Sequence, residues 1–151
     1  MIKMYFVDRE KIEETLHYLE DRIDLFEENS TWETEMEKAA LERILHMILE
    51  SILDVGNGLI DGFIMRDPGS YDDIIDILED ERVITKEMSE SYKKVIAFRK
   101  NLQQQYTQIQ HAELLEGFQQ ELIQLKQFAP KVREYMINEL GPVTAFKPTA
   151  K

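Results

Sequence analysis

From Ile44 to Met65 the chain is apolar nearly all round a helix, and its few polar residues fall on one line. His46, Glu50, Asp54, Asn57 and Asp61 are spaced four, four, three and four apart, which puts them on a single helical face. The pattern predicts one long helix from about Trp32 to Met65. Its length invites a transmembrane reading, but the carboxylates Glu50, Asp54 and Asp61 interrupt the run and exclude a membrane span. A helix that hides most of its circumference needs more than one neighbour. In a domain this small, one expected neighbour is a second copy of the chain, giving a homodimer built on this helix. Gly58 and Gly62, four apart, would permit close approach of another element.

The remaining pattern is also helical. Ile12, Leu16, Leu19, Ile23 and Phe26 form a four-three-four-three seam, predicting a first helix from about Asp8 to Phe26 with Asp8 as its N-cap. Ser30 or Thr31 is the expected cap of the long helix. Asp67-Pro68-Gly69-Ser70 is a turn, because proline stops the helix and Ser70 caps the next one. A short helix is expected from Tyr71 to Asp80, and a fourth from Thr85 to about Ile109. A last one, from Ala112 to Leu140, should be kinked or split by Pro130. The fold class is therefore all-α: an antiparallel helical bundle of about five helices. Residues 1–141 are read as one domain and 142–151 as an extended tail, with Met1 to Met4 as a leader.

A chain of 151 residues can bury a real core without staples. It has no cysteine, so disulfides, thiolate metal sites and a cysteine nucleophile are excluded. No basic region followed by an apolar run opens the sequence, so no secretory signal is read and a cytoplasmic location is expected. With 30 acids against 18 bases the net charge is −12, which as a whole repels nucleic acid and anionic membrane. Any RNA contact would need a local cationic site.

One such site is visible. Met88, Tyr92, Val95, Arg99, Leu102, Tyr106 and Ile109 alternate three and four apart, so a permanent cation lies in the apolar stripe of the fourth helix. A guanidinium there needs partners or a polar cavity. It could pair with Glu50, Asp54 or Asp61 as a core ion pair, or it could serve a site. The polar line on the long helix could likewise be a solvated face. Packed together, Glu50, Asp54, Asn57 and Asp61 with Arg99, Asn101 and Gln103 would form a polar cleft between helices, a common place for a site. The histidines His17, His46 and His111 stand at no metal-ligand spacing such as His-Glu-x-x-His, which argues against a metal site. No phosphate-binding glycine loop or nucleophile elbow is present. No metal or cofactor is expected.

Asp54 and Asn57 in the long helix are followed by Pro68-Gly69-Ser70-Tyr71 opening a short helix. Then come Ile77-Leu78, Val83-Ile84, and a helix with Phe98-Arg99, Leu102 and Tyr106. In this order the elements resemble the HepT-like branch of the HEPN superfamily, and within it the YutE-like proteins. The resemblance implies a small all-helical homodimer. Active members are metal-independent ribonucleases with the motif Arg-x-x-x-x-His-x-Tyr. Their arginine stabilises the phosphate, and their histidine moves protons as a 2′-hydroxyl attacks the adjacent phosphodiester. Their partner is a nucleotidyltransferase that silences the toxin by adenylylating the tyrosine. On this chain Arg99 matches the arginine and Tyr106 the tyrosine, while Gln104 stands at the histidine position. Lys100 stands where an asparagine usually follows the arginine, with Asn101 one place later.

Glutamine does not titrate near neutral pH and cannot act as a general acid or base. Such help is worth roughly 10²–10⁴-fold, so the resemblance with Gln104 implies a degenerate ribonuclease site of little or no activity. In an unbroken helix Gln104 would also point about 140° from Arg99, with Gln103 and Tyr106 on the arginine's face. The leading expectation is a homodimeric binding or regulatory module acting on a protein partner, RNA or a nucleotide. The alternative is an active ribonuclease toxin paired with a nucleotidyltransferase, with Tyr106 as the adenylylation site.

Overall fold

The computed structural model describes residues 5–141, and among these every regular element is helical. The expected leader and the tail from residue 142 lie outside the described residues. In order come α1 (Arg9–Glu28), α2 (Glu35–Gly62), α3 (Tyr71–Asp80), α4 (Lys86–Ile96), α5 (Arg99–Gln103), a 3-10 turn (Tyr106–Gln108), α6 (His111–Gln120) and α7 (Leu122–Leu140). Successive helices α1 to α4 pack side by side, and α7 closes the ring by lying against both α4 and α1. The fold is the all-α bundle that the periodicity predicts.

Local chemistry explains most boundaries. Asp8 caps α1 by accepting from the Lys11 amide at 3.0 Å, and Ser70 and Thr85 cap α3 and α4 through the Asp73 and Met88 amides. The cap of α2 is Thr34, three residues beyond the expected Thr31. Thr34 and Glu37 form a reciprocal capping box, which satisfies two orphan amides at once and outcompetes a lone hydroxyl upstream. Trp32 therefore precedes the helix and packs on Phe26. At the far ends of α2 and α3 the chain turns through left-handed residues, Ile64 (φ 55°) and Arg82 (φ 63°). The Met65 and Val83 amides reach back to the Ile60 and Leu78 carbonyls at 2.9 Å, as in a Schellman termination. The turn between them is fixed by Asp73, which accepts two bonds from Arg66 and one from the Gly69 amide.

Two helices differ from expectation. The fourth does not run unbroken to Ile109. The Phe98 amide bonds to the Val95 carbonyl, three residues back, so the ladder tightens between α4 and α5. Phe98 packs on the Phe118 ring at 5.8 Å. It fits because residue 117 is glycine: a Cβ there would lie 2.5 Å from the Phe98 ring. After Gln103 the chain leaves the helix altogether. The last predicted helix is also divided, but at Glu121 and not at Pro130, which lies inside a continuous α7. Nothing in the local sequence announces the break at Glu121. Pro130 is exposed, and α7 continues past it because Ala129 and Val132 on either side are buried in the core.

The core joins all layers: Leu16, Leu19, Ile48, Leu49, Phe118 and Phe128 are fully buried. Tyr92 is fully buried among them, edge-on to Phe128, and its hydroxyl donates to the Gln124 carbonyl at 2.7 Å. Burial pushes that phenol well above its ordinary range. The apolar circumference of α2 is covered within one protomer: Leu41, Leu45, Ile48, Leu49, Ile52 and Leu59 are all buried. Its glycines serve the same packing. Gly58 faces Ile12 of α1, and Gly62 faces Val7, where a Cβ would meet the Val7 backbone at 3.0 Å. The apolar surface of α2 therefore does not by itself require a second copy.

Candidate functional site

Arg99 starts α5 and reaches across to α2. Its Nε donates to Glu50 Oε2 at 2.6 Å and its Nη2 to Glu50 Oε1 at 3.3 Å. The guanidinium lies over the ring of Tyr71, 4.0 Å from the centroid, a cation–π distance. The pair is sheltered but reachable, with side chains 15% and 22% exposed. Hydrogen bonding to Glu50 raises the Arg99 pKa further above its ordinary value, so the group is a permanent cation. Of the three carboxylates that the sequence offered it, Glu50 is the partner.

One turn before Glu50 on the same helix lies His46. Its Nε2 is 3.7 Å from Glu50 Oε2, too far for a hydrogen bond, and is a buried atom with no hydrogen-bond partner. Burial lowers the His46 pKa; Glu50 opposes this, while Arg99 and Arg43 reinforce it. His46 is therefore a neutral imidazole at neutral pH. One turn beyond Glu50, Asp54 is shifted the other way. Loss of hydration and then the Glu50 charge raise its carboxyl, against Lys11 and Arg99. One turn before His46, the Glu42 carboxylate accepts from His111 Nε2 at 2.7 Å. The line on α2 thus carries three acids and a histidine, met by Arg99 from α5 and His111 from α6, with Tyr71 of α3 against the arginine.

The other expected residues spread outward. Asn57 and Asp61 continue the α2 line as exposed residues. Asn101 is half-buried, 3.4 Å from Gln105, and Gln103 is exposed. Gln104 ends α5 in the exposed surface. Tyr106 falls on the 3-10 turn and is 64% exposed. The break after Gln103 removes the shared helical face that an unbroken helix would have given Arg99 and Tyr106. Sequence periodicity placed His46 on the polar line but not at the arginine's shoulder, and it gave no sign of Tyr71 as the surface on which the guanidinium lies. A groove of about 350 Å³ lies elsewhere, between α1 and α7 around His17, Glu20, Asp24 and Lys126. Among the described residues no cluster of histidines and carboxylates has the arrangement of a metal site. No helix among them is long and apolar enough to cross a membrane.

The family model described as ribonuclease HepT-like matches residues 7–132. The chain belongs to the HepT-like ribonuclease family. A curated relative from Bacillus subtilis (strain 168), named "Putative RNase YutE", is 51% identical over 144 residues, covering 95% of this chain and 100% of the relative. A solved structure of YutE from Bacillus subtilis, described as a cytosolic protein of unknown function, has a TM-score of 0.91 at 50% identity. It covers 95% of this chain and 100% of that chain. A crystal structure of a toxin–antitoxin with AMP-PNP has a TM-score of 0.70 at 16% identity, covering 80% of this chain and 96% of that chain. At that identity the likeness is one of fold alone, and it extends the HepT-like architecture to a distant sequence.

Proposed function

We propose that this chain is a HepT-like module whose ribonuclease site is degenerate, a cytoplasmic homodimer that holds the phosphate of RNA or a nucleotide with little or no cleavage. The observation that carries this reading is the contrast between Arg99 and Gln104. The arginine is kept in a sheltered niche by Glu50 and Tyr71, whereas the position that needs a titrating side chain is an exposed glutamine. A guanidinium fork remains suited to a phosphate, but general acid–base help worth roughly 10²–10⁴-fold is missing at residue 104. The long helix α2 and the α4–α5 stretch are the proposed surface on which two protomers meet, with Glu50, Asp54, Asn57 and Asp61 lining a polar cleft beside Arg99. Light scattering showing a monomer at micromolar concentration counts against the dimer. Incubation of purified protein with RNA, beside Arg99→Ala, tests the chemistry: Arg99-dependent cleavage at low protein concentration overturns the degenerate reading.

One observation favours the second reading, an active toxin regulated by a nucleotidyltransferase. The exposed Tyr106 on its 3-10 turn is accessible to a modifying enzyme. Intact mass after co-expression with a nucleotidyltransferase tests this. A gain of adenylate lost in Tyr106→Phe supports it, and an unshifted mass counts against it.

A further inference from the structure

His46 is the one group at the site whose position the ion pair leaves unexplained. A buried ring nitrogen without a partner is unfavourable, yet a carboxylate stands just out of reach. Glu50 Oε2 is 2.6 Å from Arg99 Nε and 3.7 Å from His46 Nε2. A movement of about 1 Å would bring it to hydrogen-bonding distance of the imidazole. The same oxygen therefore has two possible partners and is engaged by one. The edge of Arg99 that Glu50 occupies, Nε and Nη2, is the edge that takes two oxygens of a phosphate side by side. A ligand phosphate and Glu50 compete for it.

We propose that Glu50 is a shared carboxylate: a phosphodiester that takes Arg99 releases Glu50 to His46, and the ligand binds together with one proton. The proposal rests on the phosphate-holding role of Arg99 argued above and adds how the site accommodates a further negative charge beside Asp54 and Glu50. The proton goes to His46 Nε2, which then donates to Glu50 Oε2, and no bond of the ligand is broken. Arg99 keeps its cation–π seat on Tyr71 throughout. The charged groups around the imidazole are few: Glu50 and Arg43 on α2 itself and Arg99 from α5. Tyr71 of α3 lies against the arginine, and His111 of α6 is tied to Glu42. In the free protein Arg99 and Arg43 both disfavour a cation at His46. The ligand neutralises the first of these and delivers Glu50 to the ring. Neutral imidazole in the free state and imidazolium in the bound state are the two ends of the linkage.

Linkage fixes the sign. A group that gains a proton on binding makes affinity fall as pH rises, by up to tenfold per pH unit between its free and bound pKa values. That window starts below the ordinary histidine value, because the free pKa is lowered. A suitable probe is thymidylyl-thymidine, a phosphodiester with no 2′-hydroxyl to attack and no titration of its own near neutrality. Titration calorimetry of the full-length protein from pH 5 to 8, in buffers of different ionisation enthalpy, reads affinity and proton uptake together. The expected result is uptake approaching one proton inside the window, with a downfield His46 ring titration by NMR in the wild type. His46→Gln should bind without uptake and without pH dependence. Glu50→Gln should bind several-fold more tightly, having lost the competitor, and also without uptake.

Binding without proton uptake in the wild type overturns the proposal and leaves the phosphate site standing. Uptake retained in His46→Gln or in Glu50→Gln assigns the proton elsewhere and likewise overturns it. No binding at any pH removes the phosphate site itself, and this coupling with it. Circular dichroism melts of both variants check folding, and the wild-type NMR titration decides the matter without either.

Discussion

Removing the positive half of the Arg99–Glu50 pair tests whether the pair organises the junction of α2, α3 and α5. Arg99→Met keeps the apolar stem of the side chain and deletes two hydrogen bonds, of 2.6 and 3.3 Å, and the seat on Tyr71. A charge-assisted hydrogen bond contributes about 1.5–3 kcal/mol when buried, and a cation–π contact at a partly exposed ring about 0.5–1 kcal/mol. The side chains retain 15% and 22% exposure, so water compensates part of this and a loss of about 1–3 kcal/mol is expected. Part of that loss is the cost of leaving Glu50 sheltered beside Asp54 without its cation. Glu50→Gln should therefore rescue it: the double variant should be less destabilised than the sum of the singles, with a coupling of about 1–2 kcal/mol. Urea unfolding of the four proteins at pH 8 and low salt measures this cycle. Additivity within about 0.3–0.5 kcal/mol would refute the reasoning, because it would mean that Arg99 draws nothing from Glu50 that solvent does not supply.

Asp73 is held at about 2, below its ordinary 3.8, chiefly by Arg66 and then by the Gly69 amide. A carboxyl lowered in the folded state stabilises fully above its ordinary value and loses that contribution as pH falls through about 2. Asp73→Asn should therefore lower the melting temperature at pH 6 and flatten its decline between about pH 4 and 2, read by circular dichroism. The two glycines of α2 should respond in opposite directions. Gly58→Ala meets Ile12 at an ordinary 3.5 Å and should gain about 0.5–1 kcal/mol from helix propensity, whereas Gly62→Ala drives into the Val7 backbone and should lose about 1–3 kcal/mol. Equal effects in denaturant titrations would contradict the packing described for the N-terminal segment. Ile64 is 69% exposed and left-handed, so Ile64→Gly should stabilise by about 1 kcal/mol; a destabilised variant would show that the isoleucine is engaged elsewhere.

Sequence alone determined the elements whose causes are local. The Asp8, Ser70 and Thr85 caps, the proline-glycine turn and the seam Ile12 to Phe26 rest on contacts within a few residues. Each appears where its chemistry puts it. The order of motifs was likewise enough to point to the HepT-like family that the comparisons establish. Tertiary structure decided what periodicity cannot carry. A run of helix-forming residues from Lys93 to Gln105 gives no sign of a break. The break is set by Phe98 entering the space above Gly117, far along the chain, and by Phe118 beneath it. Arg99 of the next helix lies against Glu50, and a second departure from helix after Gln103 leaves Tyr106 in solvent. The choice among Glu50, Asp54 and Asp61, and the position of His46 beside the chosen partner, depend on how α5 lies against α2. Spacing along one helix ranks those residues equally, and only packing between helices separates them.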